Sequence, residues 1–391
     1  MKISASGLSA QAVSAFWNTG AVPRGLPAPA YTSQAFFARE CETVFFDHWV
    51  FAAFAHELAT AGDVCPIQVA GRPVLLVRGG DGELRAFENV CRHRCLQLVT
   101  AAGNAGQTLR CPYHAWTYGL DGTLMITPFF GGSQPREVPP GFDRRDHGLK
   151  ALRCAEWHDW VFVNLSGRAQ SFESFIAPIG AWISDMNVDA LVALPALDFD
   201  NVQCNWKFLI ENFIEPYHVP VVHAKTTEQP LANHYVIDNG PCLGCAIDVE
   251  AMEVRDGHHD DGAHPSAPVR DGALAASSRY LTLFPNFVLA RYLPNQLGVH
   301  LNTPLAPGTT AQRRVIYVPH DIAANAAEMA ALRSLWQKVH REDHAMCERL
   351  QSGRTADVAQ QGGVISPVWE PAVRRFQERI LATMGAGRHE R

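Results

Sequence analysis

The sequence between residues 91 and 114 carries two short pairs of metal-binding side chains. Cys91 and His93 form a Cys-x-His pair, and after 17 intervening residues Cys111 and His114 form a Cys-x-x-His pair. Thiolate and imidazole hold zinc or an iron–sulfur cluster, and each pair is short enough to lie on one loop. A Cys2His2 zinc finger usually groups its cysteines apart from its histidines. Here each pair supplies one of each, which favours a [2Fe–2S] cluster with two cysteines on one iron and two histidines on the other.

The residues around these pairs resemble the Rieske domain of the ring-hydroxylating oxygenase family. The first word is Cys-Arg-His-Arg from Cys91, and the second is Cys-Pro-Tyr-His-Ala-Trp-Thr-Tyr from Cys111, followed by Asp121-Gly122. The resemblance implies that Cys91, His93, Cys111 and His114 hold a Rieske [2Fe–2S] cluster. A structural zinc site is the alternative that the residues alone leave open.

The chain departs from the Rieske pattern at three places. Cys95 stands where the family usually has glycine, and Leu96 and Tyr113 occupy the positions of the disulfide that braces cytochrome-type Rieske loops. Ala115-Trp116 follows the last histidine, without the cytochrome-type serine. Fewer hydrogen bonds to the cluster sulfurs predict a reduction potential in the lower part of the Rieske range.

Residues 205–223 are the second informative stretch. Their first half has helical character, and Pro216 and Pro220 then bend or end the helix. His218 and His223 are five positions apart, which would not align them on a regular helix. A bend between them would bring both imidazoles to one point.

His218 and His223 resemble the two histidine ligands of the family's catalytic iron. Non-haem Fe(II) oxygenases add one carboxylate to two histidines and leave the opposite coordination positions open. Glu342-Asp343, followed by Gln351 and Gly353, resembles the family's Glu-Asp…Gln-x-Gly word on a late helix. We expect Asp343 to be the third ligand and Glu342 to be the alternate. The competing interpretation is that Asp343 is an ordinary solvated acid on a helix.

The family places an acid three residues before its first histidine ligand, and Glu215 holds that position here. The resemblance implies that Glu215 links the iron site of one subunit to a cluster histidine of its neighbour, so that the chain forms a ring, most simply a homotrimer. Glutamate here resembles the subgroup that acts on quaternary amines such as carnitine. An ordinary helix acid is the competing interpretation. Asn212 and Tyr217 are expected to support the iron ligands.

Composition bounds these hypotheses. A length of 391 residues, with 47% hydrophobic and 18% charged residues, allows two domains with real cores. The net charge of −6 argues against nucleic acid as a partner. The sequence has no run of 18 apolar residues and no signal-peptide pattern, which predicts neither a membrane span nor secretion. Ten scattered cysteines predict free thiols in a reducing cytoplasm.

Period and turn signals predict an α+β fold in three segments. An arm and a helix at 33–47 occupy 1–47, many short strands form an all-β Rieske domain at 48–165, and a catalytic domain covers 166–391. For the catalytic domain, the resemblance implies a curved antiparallel sheet packed by helices, as in helix-grip folds. We predict helices at 171–193, from 205, at 321–351 and at 368–384, and strands at 280–284, 287–292, 298–303 and 314–318.

Three further groups could bind metals but have better ordinary explanations. Cys242 and Cys245 form a lone Cys-x-x-Cys pair, which we interpret as two strand cysteines. His340 and His344 lie near Asp343 on one helix. A third group falls in the polar segment 255–277, interpreted as a surface loop: His258, His259, Asp260, Asp261 and His264.

The sequence therefore predicts the terminal α component of a Rieske non-haem iron oxygenase, with a [2Fe–2S] cluster and a mononuclear Fe(II). The resemblance implies electrons from a separate NAD(P)H-dependent reductase or ferredoxin, with or without a β subunit. It also implies hydroxylation of a small substrate, an aromatic acid in aromatic catabolism or an N-methylated amine, by mono- or dioxygenation or oxidative demethylation. A Rieske electron carrier without oxygenase activity is the alternative, and a zinc-stabilised binding protein is a third class. Segments 224–246 and 280–303 should line the substrate pocket, but the sequence does not rank their candidates: His234, Phe284, Phe287 and Tyr292.

Overall fold

The computed structural model describes residues 7–18, 20–227, 229–248, 277–293 and 296–386. The chain divides into two compact units, Phe45–Phe172 and Met1–Val44 together with Glu173–Arg391. The sequence placed the boundaries at 47 and 165, and it kept the N-terminal arm and helix as a segment of their own. The structure instead groups residues up to Val44 with the C-terminal unit. The predicted loop at 255–277, with its histidines, falls almost wholly outside the described residues.

The first unit, Phe45–Phe172, is built from short antiparallel strands. They are β1 (Val50–Phe54), β2 (Asp63–Val69), β3 (Arg72–Arg78), β4 (Leu84–Glu88), β5 (Gly103–Asn104), β6 (Thr108–Arg110), β7 (Thr117–Gly119), β8 (Leu124–Ile126), β9 (Ala151–Trp157) and β10 (Trp160–Asn164). One sheet has the order β1-β10-β9-β4-β3-β2-β5, and the other has the order β6-β7-β8. The predicted all-β domain is therefore confirmed.

The strands of the second unit form one antiparallel sheet. They are β11 (Val192–Ala193), β12 (Leu197–Val202), β13 (His234–Asn239), β14 (Cys242–Asp248), β15 (Ser277–Leu283), β16 (Phe287–Leu293), β17 (Gln296–Ala306) and β18 (Thr309–Val318). Their order is β11-β18-β17-β16-β15-β14-β13, and β12 also pairs with β18. An antiparallel sheet packed by helices is the predicted class.

The helices of the chain, in order, are α1 (Ala10–Trp17), α2 (Pro29–Thr32), α3 (Gln34–Asp47), α4 (Phe172–Gly180), α5 (Trp206–Phe213), α6 (Val219–Val222), α7 (His320–Ala324), α8 (Ala326–Gly353) and α9 (Pro371–Thr383). Helix α5 packs against α8 and against strands β15 and β17, and α9 packs against β13 and β14. Within the described parts of the chain, no helix combines the length and apolar character needed to cross a bilayer.

Two predicted helices were too long. The helix expected at 171–193 ends at Gly180, after Pro178 in its last turn. The helix expected at 321–351 is two helices, because Asn325 ends α7 and caps α8: its side-chain oxygen accepts the backbone N–H groups of Ala327 and Glu328. Asparagine competes for backbone hydrogen bonds in this way, which makes it a helix start rather than a helix interior.

Helices α5 and α8 are joined near the N-terminus of one and the C-terminus of the other. The side chain of Asn205 accepts the N–H of Lys207 and so caps α5. The Asn205 N–H donates to Oε1 of Gln351 on α8, over 3.0 Å. These bonds fix the two helices that carry the candidate catalytic residues.

Candidate functional site

The two loops expected to hold the cluster have the same backbone hydrogen bonds. Cys95 N–H donates to the carbonyl of Cys91 (2.9 Å), and Ala115 N–H donates to the carbonyl of Cys111 (3.1 Å). Each cysteine N–H also donates to the carbonyl five residues ahead, that of Leu96 in one loop and that of Trp116 in the other. Cys95 and Ala115 both have positive φ, 57° and 56°. Each loop therefore returns its cysteine and histidine to one point.

The four candidate cluster ligands are sorted by depth. Cys91 and Cys111 belong to the hydrophobic core of this unit, whereas His114 is exposed and His93 is half-buried. The two imidazole rings lie 4.6 Å apart, centroid to centroid. Two buried thiols below two outer imidazoles are a donor set that would fit a [2Fe–2S] cluster held by two cysteines and two histidines.

Tyr118 is a cluster neighbour that the sequence reasoning missed. Its hydroxyl lies 3.2 Å from Sγ of Cys91 and accepts the N–H of Arg92 over 3.0 Å. The expectation of few hydrogen bonds to the cluster sulfurs considered only the absent serine. Cys91, Cys95 and Cys111 form no disulfide, so no disulfide braces these loops.

The second candidate site forms where α6 meets α8. His218 and His223 stand at the two ends of the four-residue helix α6, and both Nε2 atoms face Oδ1 of Asp343, at 3.6 Å and 3.0 Å. Ligand atoms of the three side chains all lie within 4.8 Å of one another. Two imidazole nitrogens and a carboxylate oxygen at this spacing fit a 2-His-1-carboxylate iron site.

A carboxylate lies against the far nitrogen of each histidine. Glu215 Oε1 lies 2.5 Å from Nδ1 of His218, and Glu342 Oε2 lies 2.9 Å from Nδ1 of His223. Such a partner accepts a hydrogen bond from Nδ1–H, which fixes the tautomer and leaves Nε2 free to bind a metal. Burial lowers the pKa of His218, but the carboxylates of Glu215 and Asp343 outweigh it and raise that pKa above 6.5.

The predicted supporting residues reach the site in different ways. Asn212 Nδ2 donates to Oδ1 of Asp343 over 2.9 Å. The Tyr217 side chain is exposed, and it is the backbone N–H of this residue that donates to Glu215. Glu342, the alternate ligand of the sequence prediction, is instead placed at His223 Nδ1. It also accepts the hydroxyl of Thr226 over 2.8 Å.

The remaining candidates have structural roles. Cys242 and Cys245 are buried in strand β14, as expected for two strand cysteines. His234 lies within hydrogen-bonding distance of Pro230 and Gln229, and Phe284 and Phe287 are core residues. Among the pocket candidates, the ring of Tyr292 stands apart, because its hydroxyl accepts a hydrogen bond from the buried Arg314.

The sequence did not predict that a row of polar residues on β17 and β18 is buried. His300 and Asn302 on β17 are paired with Arg314 and Gln312 on β18, and all four are at most 4% exposed. The signal was their alternation with Val299, Leu301 and Val315. In an isolated strand this pattern predicts a solvated polar face. Here α5 and α8 cover that face, so the polar side chains are buried.

Two family profiles match the chain. The one described as the catalytic domain of the ring-hydroxylating α subunit matches residues 183–386, and the one described as the Rieske [2Fe-2S] domain matches residues 48–133. The catalytic profile covers more than half of the chain and includes His218, His223 and Asp343.

The curated relatives include oxygenase subunits that act on quaternary amines. The glycine betaine monooxygenase oxygenase subunit of Pseudomonas aeruginosa (strain UCBPP-PA14) is 27% identical over 92% of this chain and 90% of its own length. The carnitine monooxygenase oxygenase subunit of Escherichia coli (strain K12) is 34% identical over 54% of this chain and 55% of its own. A solved quaternary ammonium Rieske monooxygenase in complex with gamma-butyrobetaine has a TM-score of 0.76 at 23% identity, covering 94% of this chain and 96% of its own.

Proposed function

The chain belongs to the ring-hydroxylating oxygenase α subunits of the Rieske type, and on that premise we propose that it oxidises a quaternary or N-methylated amine. The protein is the terminal oxygenase component, uses O2, and has a [2Fe–2S] cluster and a mononuclear iron as cofactors. A separate reductase supplies its electrons. A pure electron carrier is excluded, because the catalytic domain is present and its relatives are oxygenases.

The residues that hold each cofactor are part of the proposal. Cys91, Cys111, His93 and His114 would hold the cluster, and His218, His223 and Asp343 would hold the iron. When bound, the cluster supplies single electrons and the ferrous ion supplies open coordination positions for O2. The observation that carries the assignment is the convergence of two Nε2 atoms on one Asp343 oxygen.

Three neighbours position these ligands. Glu215 and Glu342 hold the Nδ1 protons of His218 and His223, which keeps both Nε2 lone pairs directed at the metal position. Asn212 donates to Oδ1 of Asp343 and limits its rotation. The resemblance further implies that Glu215 contacts a cluster histidine of a neighbouring subunit, which requires an oligomer; we propose a homotrimer in a reducing cytoplasm.

The substrate class rests on the relatives and on the rings near the site. Phe213, which follows Asn212, packs against Tyr280 at 5.7 Å, and Tyr280 packs against Tyr292 at 5.9 Å. Aromatic faces attract quaternary ammonium groups. A methyl group on nitrogen would then face the iron, and its hydroxylation would release formaldehyde.

Iron content and turnover test the proposal together. The protein is purified anaerobically, and its iron per chain is measured beside that of the double variant His218→Ala/His223→Ala. We expect three irons per chain in the parent and two in the variant, which keeps the visible Rieske spectrum but loses substrate-dependent O2 uptake. Two irons in the parent, or undiminished turnover in the variant, would overturn the site assignment.

A substrate panel with a generic reductase tests the amine. Glycine betaine, carnitine and benzoate are compared by O2 uptake coupled to product. Formaldehyde or another cleavage product from an amine supports the proposal. Hydroxylation of benzoate to an alcohol or cis-diol, with no reaction of the amines, contradicts it. Sedimentation of the loaded protein at three chains per particle supports the trimer, and full activity as a single chain contradicts it.

A further inference from the structure

Arg314 is a fully buried cation that forms no ion pair with any carboxylate of the described residues. Only 1% of it is exposed, and its guanidinium lies 4.5 Å from the ring centroid of Trp336 and 5.1 Å from that of Tyr292. Its Nη2 donates to the hydroxyl of Tyr292. Within the described residues no carboxylate lies within ion-pair distance of Arg314. The carboxylate of Asp343 acts on it only from a longer distance. A buried charge without a direct ion pair is expensive, which sets this residue apart.

Other buried cations of the same unit do have acidic partners. Nη1 of Arg291 lies 2.7 Å from Asp185, and Nζ of Lys207 lies 2.7 Å from Glu40. The fold therefore pairs its buried cations where it needs them for packing. Arg314 breaks that pattern, and a group from outside the described chain would complete it.

Further buried nitrogens around Arg314 also find no hydrogen-bond partner in the part of the chain that the structure describes. They are Nε of Arg314 itself, Nε2 of His300, Nε2 of His340 and Nδ2 of Asn302. Leaving one such group unsatisfied in a protein interior is costly, so four together are unusual in a folded protein. The guanidinium and the amide nitrogen can only donate, and a neutral imidazole can donate from Nε2. A hydrogen-bond acceptor with negative charge would therefore satisfy these donors.

This donor set adjoins the proposed iron site. The ring of His300 lies 5.0 Å from that of His340, which precedes Asp343 by one helical turn on α8. It also lies 4.7 Å from the ring of Phe213, next in sequence to Asn212, whose side chain donates to Asp343. A small molecule that contacts Arg314 would thus lie within reach of the metal position.

Glycine at position 298 makes room for this arrangement. A Cβ there would lie 2.6 Å from the Cε2 atom of Tyr292 and 3.2 Å from Nη2 of Arg314. The bare backbone of β17 lets the phenol and the guanidinium lie side by side over the strand.

We infer that Arg314 binds a carboxylate of the substrate, with His300 and Asn302 as further donors, so that this oxygenase selects acids over the matching alcohols. The inference rests on the proposed function, because it treats this pocket as the substrate site. A zwitterion with an ammonium group against the rings and a carboxylate at Arg314 satisfies both features. A substrate with only a positive charge would face the guanidinium uncompensated.

Binding of matched ligand pairs tests the inference. Calorimetric titration of the anaerobic, iron-loaded protein compares glycine betaine with choline, and benzoate with benzyl alcohol. In the parent we expect at least one acid to bind at least tenfold more tightly than its alcohol. Arg314→Met should raise the Kd of that acid by about 10- to 100-fold, the worth of a charge-assisted hydrogen bond, and leave the alcohol within about threefold.

Arg313→Met is the matched control. Arg313 is the preceding residue of β18, its side chain is partly exposed, and it pairs with Asp198. Arg313→Met should leave the affinities for the acid and for the alcohol unchanged. If Arg314→Met does not fold, Arg314→Lys keeps the charge but loses the planar pair of donors, and it should weaken acid binding in the same direction.

The outcomes separate this inference from the proposed function. Equal binding of acids and alcohols by the parent, or an equal loss of both in Arg314→Met, would show that Arg314 only supports the fold, and the inference would be wrong. Arg314-dependent acid binding without amine oxidation would uphold the inference and overturn the amine proposal. Turnover of choline without binding of any acid would do the reverse.

Discussion

Oε2 of Glu342 lies 2.9 Å from Nδ1 of His223, and so reproduces on α8 the contact that Glu215 makes with His218 from the neighbouring turn. The two histidines thus have equivalent partners from different parts of the sequence. Glu215 was predicted from its family position three residues before His218, whereas Glu342 was considered only as an alternate ligand to Asp343.

The contact predicts that Glu342→Gln weakens the iron site. A neutral amide cannot stabilise the Nδ1 proton as a carboxylate does, so we expect iron affinity to fall by about 10- to 100-fold. Competition with a ferrous chelator measures it. Glu348→Gln is the control, since Glu348 lies on the same helix but accepts the N–H of Gln203. Equal affinity in both variants would contradict the prediction.

Tyr118 predicts a change in the cluster potential. As a cluster ligand, the role proposed for it, Cys91 would be a thiolate, and the hydroxyl 3.2 Å from its sulfur would donate to it. Such hydrogen bonds stabilise the reduced cluster. Tyr118→Phe should therefore lower the midpoint potential in a redox titration followed by the Rieske signal. Tyr113→Phe, whose exposed hydroxyl bonds to Arg94, should leave it unchanged; a shift of the same size in both variants would speak against a specific bond.

Cys95 predicts a stabilising substitution. Its φ of 57° belongs to the left-handed region, where side chains other than glycine are strained by about 1–3 kcal/mol. Glycine removes that strain but has a more flexible unfolded chain, so Cys95→Gly should gain about 1 kcal/mol in free energy of unfolding. Cys95→Ala keeps the Cβ and should gain nothing. Thermal unfolding of the cluster-loaded protein compares them, and no difference between glycine and alanine would count against strain.

Glu211 predicts how stability depends on pH. Burial raises the pKa of its carboxyl to about 7 from the ordinary 4.5, although Tyr31 and Gln377 hydrogen-bond to it. Between these values the folded state holds a proton that the unfolded state has lost. The free energy of unfolding should therefore fall by about 3 kcal/mol as pH rises from about 4.5 to about 7.

Urea titrations across that range measure the effect. In Glu211→Gln this contribution to the slope should disappear, because the amide does not titrate. Glu42→Gln on the exposed face of α3 should keep the parent slope. If Glu211→Gln also keeps it, the carboxyl of Glu211 does not titrate as the structure indicates.

The cysteines and histidines of the two candidate sites could be picked out from the sequence because each pair of candidate ligands lies within one short segment. The pairs Cys91/His93, Cys111/His114 and His218/His223 each lie within six residues, although the four-residue helix α6, and not the predicted bend, separates the last two. Glu342 was recognised in the sequence as an acid beside Asp343 and as the alternate ligand. Which of the two faced the metal position depended on the rotation of α8, which sequence does not give.

The buried row around Arg314 could not be predicted from local pattern. His300, Asn302, Gln312 and Arg314 have the alternation of a solvated strand face, and their burial depends on α5 and α8 crossing over them. The same holds for Tyr31, whose hydroxyl reaches Glu211 from an arm that the sequence left separate. Contacts between distant segments decide these cases, and no spacing rule reports them.

Helix α6 has only four residues, and none of them is buried. The histidines at its ends are therefore attached to a segment that packing alone holds weakly, whereas Asp343 belongs to a 28-residue helix tied to α5. An ion bound by both histidines and by Asp343 would hold α6 against α8. Metal binding and the ordering of this turn would then be one equilibrium. Removing the iron should then expose the turn to solvent exchange long before the antiparallel sheet of the same unit opens.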